Sequence, residues 1–243
     1  MKRKHVRLSR ISSLHYLKLV CRTGILLLAG IFYIESRIEN SGAYFRGFEE
    51  NVWVLAVIWI IYAVEMILRF FPSRLESMGC QKQFAKNYRP TGEAKPQLHS
   101  WKRTFAVTAV WLALNGAIGG LYWVGIIDWG ILVLVSLVYG VCDMICILFF
   151  CPFQKILMKN KCCINCRIYD WGHFMMFTPM LFIKNFYSWS LFFTSLVVLI
   201  HWEISYAKHP ERFWEGANQM LQCRNCKERT CQIKRKLAGN NLE

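Results

Sequence analysis

Eleven cysteines occur in this chain of 243 residues, and seven fall into two groups: Cys151, Cys162, Cys163 and Cys166, then Cys223, Cys226 and Cys231. Cys163 with Cys166, and Cys223 with Cys226, form two C-x-x-C pairs. That spacing lets both sulfurs of a pair turn toward one ion, and two pairs make the four thiolates of a closed tetrahedral zinc site. Iron–sulfur clusters use the same ligands. Lys159, Lys161, Arg167, Arg224, Lys227 and Arg229 make both segments basic and wet, and nearby positive charge favours thiolate. All seven cysteines are therefore candidate metal ligands. Dithiol–disulfide cycling and the handling of copper(I) or zinc are further uses of the same groups. Cys21 and Cys142, inside apolar runs, read instead as small hydrophobes.

A second set of residues is costly where it stands. Glu65, Asp143, His173, His201 and Glu203 lie within apolar stretches, and ionisable groups at membrane depth carry a functional expectation by default. They predict a polar pocket beside the cysteines, able to take a quinone headgroup, pass protons or admit a metal ion. Asp143, His173 and His201 are its candidate cofactor contacts. Two histidines on adjacent helices also allow a bis-histidine haem. The structural alternative pairs Glu65 with Arg69 one turn on, leaves Asp143 hydrogen-bonded in the bundle, and lets His201 and Glu203 reach the interface.

The elements that must position these groups are membrane helices. The chain is 55% hydrophobic and 15% aromatic, and a spanning helix needs about 20 mostly apolar residues. Six segments qualify: Leu17 to Ile34, Val52 to Phe71, Phe105 to Ile127, Ile131 to Phe150, Trp171 to Ile183 and Phe186 to Tyr206. The first is interrupted by Lys18 and Arg22. The fifth is short, and Thr178-Pro179 predicts a kink in it. The expectation is an all-α polytopic bundle of six transmembrane helices. Residues 1–206 form the membrane domain, with loops 72–104 and 151–170 on one side. Residues 207–243 form a basic, cysteine-rich tail.

Orientation follows from Lys and Arg, which stay on the cytoplasmic side. Four segments that alternate with the spans hold 27 of the 30 basic residues, while the loop from Glu35 to Asn51 is acidic. Both termini and all seven cysteines then face the cytoplasm, in a cell's inner (plasma) membrane. There thiols stay reduced, and spaced cysteines read as ligands rather than disulfides. The net charge of +15 is this signal plus attraction to anionic lipid. Being spread over four flanking segments, it does not predict nucleic-acid binding. The apolar run near the N-terminus lacks a small-x-small cleavage site and reads as an uncleaved anchor.

Smaller features complete the reading. Gly116 and Gly120 make a small-residue stripe for close helix approach. Tyr122, Trp123, Trp129, Tyr187 and Trp189, with Trp53, mark one aromatic belt, and Trp101, Trp171, Trp202 and Tyr206 the other. Residues Ile204 to Gln222 read as a helix leaving the membrane, interrupted at His209-Pro210. There is no phosphate-binding loop, zinc-protease helix, nucleophile elbow or dinucleotide fingerprint.

The run Phe149-Phe150-Cys151-Pro152-Phe153-Gln154 resembles the Cys-Pro segment of membrane-anchored ferredoxin-type iron–sulfur proteins. In that family a transmembrane helix ends in C-x3-C-P at the cytoplasmic surface. Here four residues separate Cys146 from Cys151-Pro152, one more than the pattern, and no second copy is present. The resemblance implies cluster ligation by Cys151. The run from Cys162 to Met180 is similar to a stretch in other bacterial membrane proteins, which implies no function. The expectation is an electron-transfer protein with an iron–sulfur centre, working between a cytoplasmic partner and a membrane acceptor near Asp143 and His201. A structural zinc site that docks an assembly partner is the alternative. A metal or solute transporter using Glu65, Asp143 and Asn115 is the third reading.

Overall fold

A computed structural model describes residues 9–38, 52–74, 76–92, 101–226, 228 and 231. Much of the acidic loop, with Glu39, Arg46, Glu49 and Glu50, lies outside the described residues, as do Pro96, Lys227, Arg229 and residues 232–243. The secondary-structure elements of the described residues are all helices. Helix α1 is Arg10–Ile38, α2 is Val52–Ile67 and α3 is the single turn Met78–Gln81. Helices α4 (Trp101–Trp123) and α5 (Trp129–Leu148) form a hairpin. Its turn places Gly125 at φ 78°, a backbone region open to glycine. Asp128 then caps α5 by accepting from the Ile131 amide at 2.9 Å. Helix α6 is Gly172–Phe177, and α7 is Phe186–Lys208.

Among the described residues four helices, α1, α4, α5 and α7, are long and apolar enough to cross a membrane. Helix α2 has 16 residues before a 3-10 turn at Leu68–Phe70. The fifth apolar segment is broken. A 3-10 stretch at Arg167–Trp171 leads into α6, and another at Thr178–Phe182 follows it. The second break falls at Thr178-Pro179, because proline cannot donate to the preceding turn.

That broken segment is enclosed by protein. His173, Met176, Phe177, Thr178 and Met180 are all buried. Met176 meets Gly140 of α5, and Phe182 fills the space beside Gly119 of α4. Trp111 donates to the Thr178 hydroxyl at 3.2 Å. Irregular backbone that is buried needs hydrogen-bond partners within the protein. The close approach is at Gly119; the expected stripe at Gly116 and Gly120 has open space around it.

Helix α1 runs unbroken through Lys18 and Arg22, because acidic partners on α2 and α5 meet both charges. Its outer face carries exposed Leu27, Leu28, Ile31 and Phe32. Val57, Ile60 and Ile61 of α2, and Phe193, Val197 and Ile200 of α7, are exposed likewise. An apolar surface this extensive is compatible with lipid contact.

Two of the three tryptophans expected at an inner belt sit elsewhere. Trp171 and Trp202 are buried with Tyr206 and Phe213 in one core cluster. Trp202 donates to the Arg167 carbonyl at 2.8 Å, and Trp171 to Glu203 at 2.9 Å. Their polar edges find protein partners, so they are core residues.

Beyond Lys208 the helix stops, short of the expected Gln222, because Pro210 follows. The tail folds back onto the loop after α2. Thr91 donates to the Ala217 carbonyl at 3.1 Å, and Gln219 to the Arg89 carbonyl at 2.9 Å. Glu228 accepts from Ser77 at 2.8 Å and from the Met78 amide at 2.6 Å. Ser12 of α1 donates to the Glu228 carbonyl at 3.0 Å. Loop, tail and the first turn of α1 thus form one cap at the basic end of the bundle.

Candidate functional site

Two cavities are lined by cysteines of the helix end, loop and tail. Cys163 opens a turn closed by the Cys166 amide, which donates to the Cys163 carbonyl at 2.9 Å. The turn keeps both side chains of this C-x-x-C pair on one side, and both line a cavity of about 420 Å³. Cys142 and Cys146 from α5, and Cys151 from the segment after it, line the same cavity. Cys146 and Cys151 are joined by a side-chain hydrogen bond. Cys163 donates to Gln154 Oε1 at 2.6 Å, and the Gln154 amide donates to Cys151 Sγ at 3.3 Å.

Cys162 and Ile164 face the other way. They line a second cavity of about 680 Å³ with Cys223, Cys226 and Cys231. Cys223 and Cys226 also bracket a turn, with the Cys226 amide on the Cys223 carbonyl at 3.3 Å. The loop 162–166 is thus a partition with thiols on both faces. Lys82 pins it: its ammonium donates to the carbonyls of Ile164 at 2.8 Å and Cys166 at 2.7 Å. The rings of Trp202, Phe213 and Tyr169 surround that ammonium at 5.2, 5.4 and 5.9 Å. Burial lowers the Lys82 amine to about 8, against the pull of Cys166 and Cys80.

The thiols wall these cavities without meeting at a point. Among the described residues, no three His, Cys, Asp or Glu side chains converge as a single ion requires. Burial pushes Cys162 up to about 11 despite backbone donors at Ile164 and Asn165. It pushes Cys166 up to about 11 despite Lys82. At Cys166 the neighbouring ammonium therefore does not offset burial; desolvation outweighs it.

An ionic network adjoins the first cavity. Arg22 of α1 donates to Asp143 of α5 at 3.3 Å, to the Gly140 carbonyl at 3.0 Å and to Glu65 of α2 at 3.3 Å. Lys18, one turn earlier, meets Glu65 at 2.7 Å and Glu76 at 3.8 Å. Glu76 meets Arg69 at 3.7 Å, and Arg69 meets Asp170 at 2.6 Å. His173 Nε2 lies 3.8 Å from Glu65. A Cβ on Gly172 would overlap the Asp143 carboxylate, so glycine there lets Asp143 reach between α6 and Arg22. Asp143 also lines the first cavity.

Of the expected contacts, Asp143 and His173 join this network, while His201 packs at a tilt against Phe70 with ring centroids 5.3 Å apart. Glu203 is held by Arg167 and Trp171. Glu65 takes Lys18 and Arg22 rather than the expected Arg69. Asn115 donates to the Trp111 carbonyl at 3.0 Å. Sequence reasoning missed Arg22 and Lys18, counting them against the first span. The signal was there: two acids in apolar helices need cations, and these two lie four apart on one helix face. Lys82, Asp170 and Glu228 carried no comparable signal.

No protein-family model, curated protein sequence or solved structure matches the chain.

Proposed function

We propose that the protein is a multi-pass redox protein of the plasma membrane, with an iron–sulfur centre on its cytoplasmic thiols. The observation that carries the reading is the wall of thiols, Cys146, Cys151, Cys163 and Cys166, around one cavity beside Asp143. A cluster is a polyatomic body whose ligands stand on separate faces, farther apart than those of one ion. Thiols spread over a cavity wall fit it better than they fit a lone tetrahedral ion. When bound, such a cluster supplies one-electron transfer.

The chain's own groups would serve that chemistry. Gln154 orients Cys151 and Cys163. Lys82 fixes the loop bearing three of the thiols. The chain from Asp143 through Arg22, Glu65 and Lys18 to Glu76 gives the interior fixed charges that offset a change in charge at the cavity. Protein burial and hydrogen bonds of this kind tune a cluster's potential. The topology proposed is six crossings with both termini inside. Helix α2 continues through its 3-10 turn, and α6 with its flanks follows α5 from Asp143 to the level of Val133, near Met180.

Two other readings draw less support. A zinc staple would hold the tail, yet the tail is already held by Glu228, Asn218 and Gln219. A cation transporter would use Glu65 and Asp143, yet Lys18 and Arg22 already hold both carboxylates. The test is the visible spectrum and metal content of anoxically purified protein in detergent. Broad iron–thiolate absorption with iron and acid-labile sulfide in equal amounts is the expected result. A colourless protein with about one zinc per chain would overturn it.

A further inference from the structure

We infer that a third cavity, at the end of the bundle away from the cap, binds one long-chain fatty acid that carries a carbonyl part-way along its chain. Helices α1, α2, α5 and α7, with the broken segment around α6, enclose about 430 Å³ there, within the size range of small-molecule sites. The walls are apolar, with Ile25, Ile58, Val133, Leu137 and Leu191. At the deep end Tyr62 and Phe177 pack edge to face, ring centroids 5.4 Å apart. Arg22 lies beyond them, 5.8 Å from the centre of the Tyr62 ring. Of the lining residues only Lys184 and Asn185 are exposed, so the cavity opens beside them. No cysteine lines it, and the site is independent of the redox reading.

Volume selects a single chain. A water takes about 30 Å³ of liquid, and a methylene group is close to that, so about fourteen fill the cavity. That is one acyl chain, not the two of a phospholipid. Charge selects a carboxylate at the mouth. Lys184 puts a cation there, and no acidic residue lines the cavity to neutralise it. A buried hydroxyl selects the carbonyl. Ser136 lines the cavity, is 2% exposed, and its Oγ has no hydrogen-bond partner. A buried hydroxyl left in that state is costly, and a carbonyl oxygen on the chain would accept from it. Ser136 stands seven residues along α5 from Trp129, the first residue of that helix and a lining residue of the outer part. At 1.5 Å per residue that is a depth of about 10 Å. The carbonyl therefore belongs mid-chain, not beside the carboxylate.

The experiment measures binding of radiolabelled stearate and 10-oxostearate to the full-length protein in phosphatidylcholine nanodiscs, against empty nanodiscs. The parent should bind one 10-oxostearate per chain, about two- to twelvefold more tightly than stearate, the worth of one hydrogen bond. Ser136→Ala should abolish that preference and leave stearate binding unchanged. Lys184→Glu should weaken both acids by about fivefold, the worth of an exposed ion pair, and keep the preference. Elution as a single sharp species in detergent checks that each variant is folded. Retention no greater than in empty nanodiscs overturns the inference. So does equal affinity of the parent for the two acids, a preference that survives in Ser136→Ala, or unchanged affinities in Lys184→Glu.

Discussion

Arg22 is 5% exposed, with Glu65 and Asp143 on either side of its guanidinium. Removing one partner from such a set strands the others without compensation, at about 3–5 kcal/mol. Arg22→Leu is therefore expected to lower the thermal unfolding midpoint in detergent sharply. Arg22→Leu combined with Glu65→Gln and Asp143→Asn should recover much of the loss. Failure of the triple variant to improve on the single would mean that the charges are not the reason. Glu76, in the loop after α2, makes the pH dependence explicit. Burial raises its pKa, but Arg69 and then Lys18 outweigh burial and hold it below the ordinary value. A carboxyl depressed by folding stabilises the fold above its unfolded pKa and loses that contribution as pH falls through the folded one. Acid should thus weaken the cap, and Glu76→Gln should flatten the acid limb of a stability–pH curve. At this scale the sequence was legible for cysteines and buried acids, because their types alone carry chemistry. It was not legible for Lys82 or Glu228. Each looks like an ordinary loop residue until the fold buries it.

Helix packing depends on where small residues meet bulk. Gly119 faces Phe182, and Gly172 faces Asp143, whereas Gly116 and Gly120 have open space. Gly119→Leu is expected to cost about 1–3 kcal/mol as overpacking. Gly116→Ala should be neutral or slightly stabilising, by up to about 1 kcal/mol. Equal losses at 116 and 119, by thermal unfolding, would contradict the packing described. Four of the six expected spans are helices long and apolar enough to cross a membrane, legible from hydropathy, and the break at Thr178-Pro179 was legible from proline chemistry. The length of α1 was not, since its charges argue against a helix until their partners on other elements are known. Trp171 and Trp202 misled for a similar reason. A tryptophan near a helix end reads as an interface anchor, and only the core around Phe213 and Tyr206 says otherwise.

Across the whole molecule, exposed apolar helix faces surround a charged interior, with a polar cap at one end. The proposed orientation puts Lys184 outside and Lys208 inside; both are exposed. In intact cells, a membrane-impermeant maleimide should label Lys184→Cys beyond the parent's background, and Lys208→Cys only after the membrane is opened. The reverse pattern would invert the topology and put the thiols outside. The cap joins residues far apart in sequence, such as Ser12 with Glu228. No local pattern announces that closure, so the two thiol cavities had no counterpart in the spacing alone.

The ion pairs of Arg22 also impose an order on biosynthesis. Its acidic partners come 43 and 121 residues later in the chain. At about 5–20 residues per second, Asp143 emerges roughly 6–24 s after Arg22. Until then Arg22 has only the carboxylate of Glu65, which it shares with Lys18, and each basic residue at mid-helix opposes insertion by about 2.5–3.5 kcal/mol. A nascent chain ending at Phe71 should leave α1 extractable by alkali, while one extended through Leu148 should resist extraction. Membrane integration of α1 would then be completed by α5, so an early truncation forfeits the anchor that lies upstream of it.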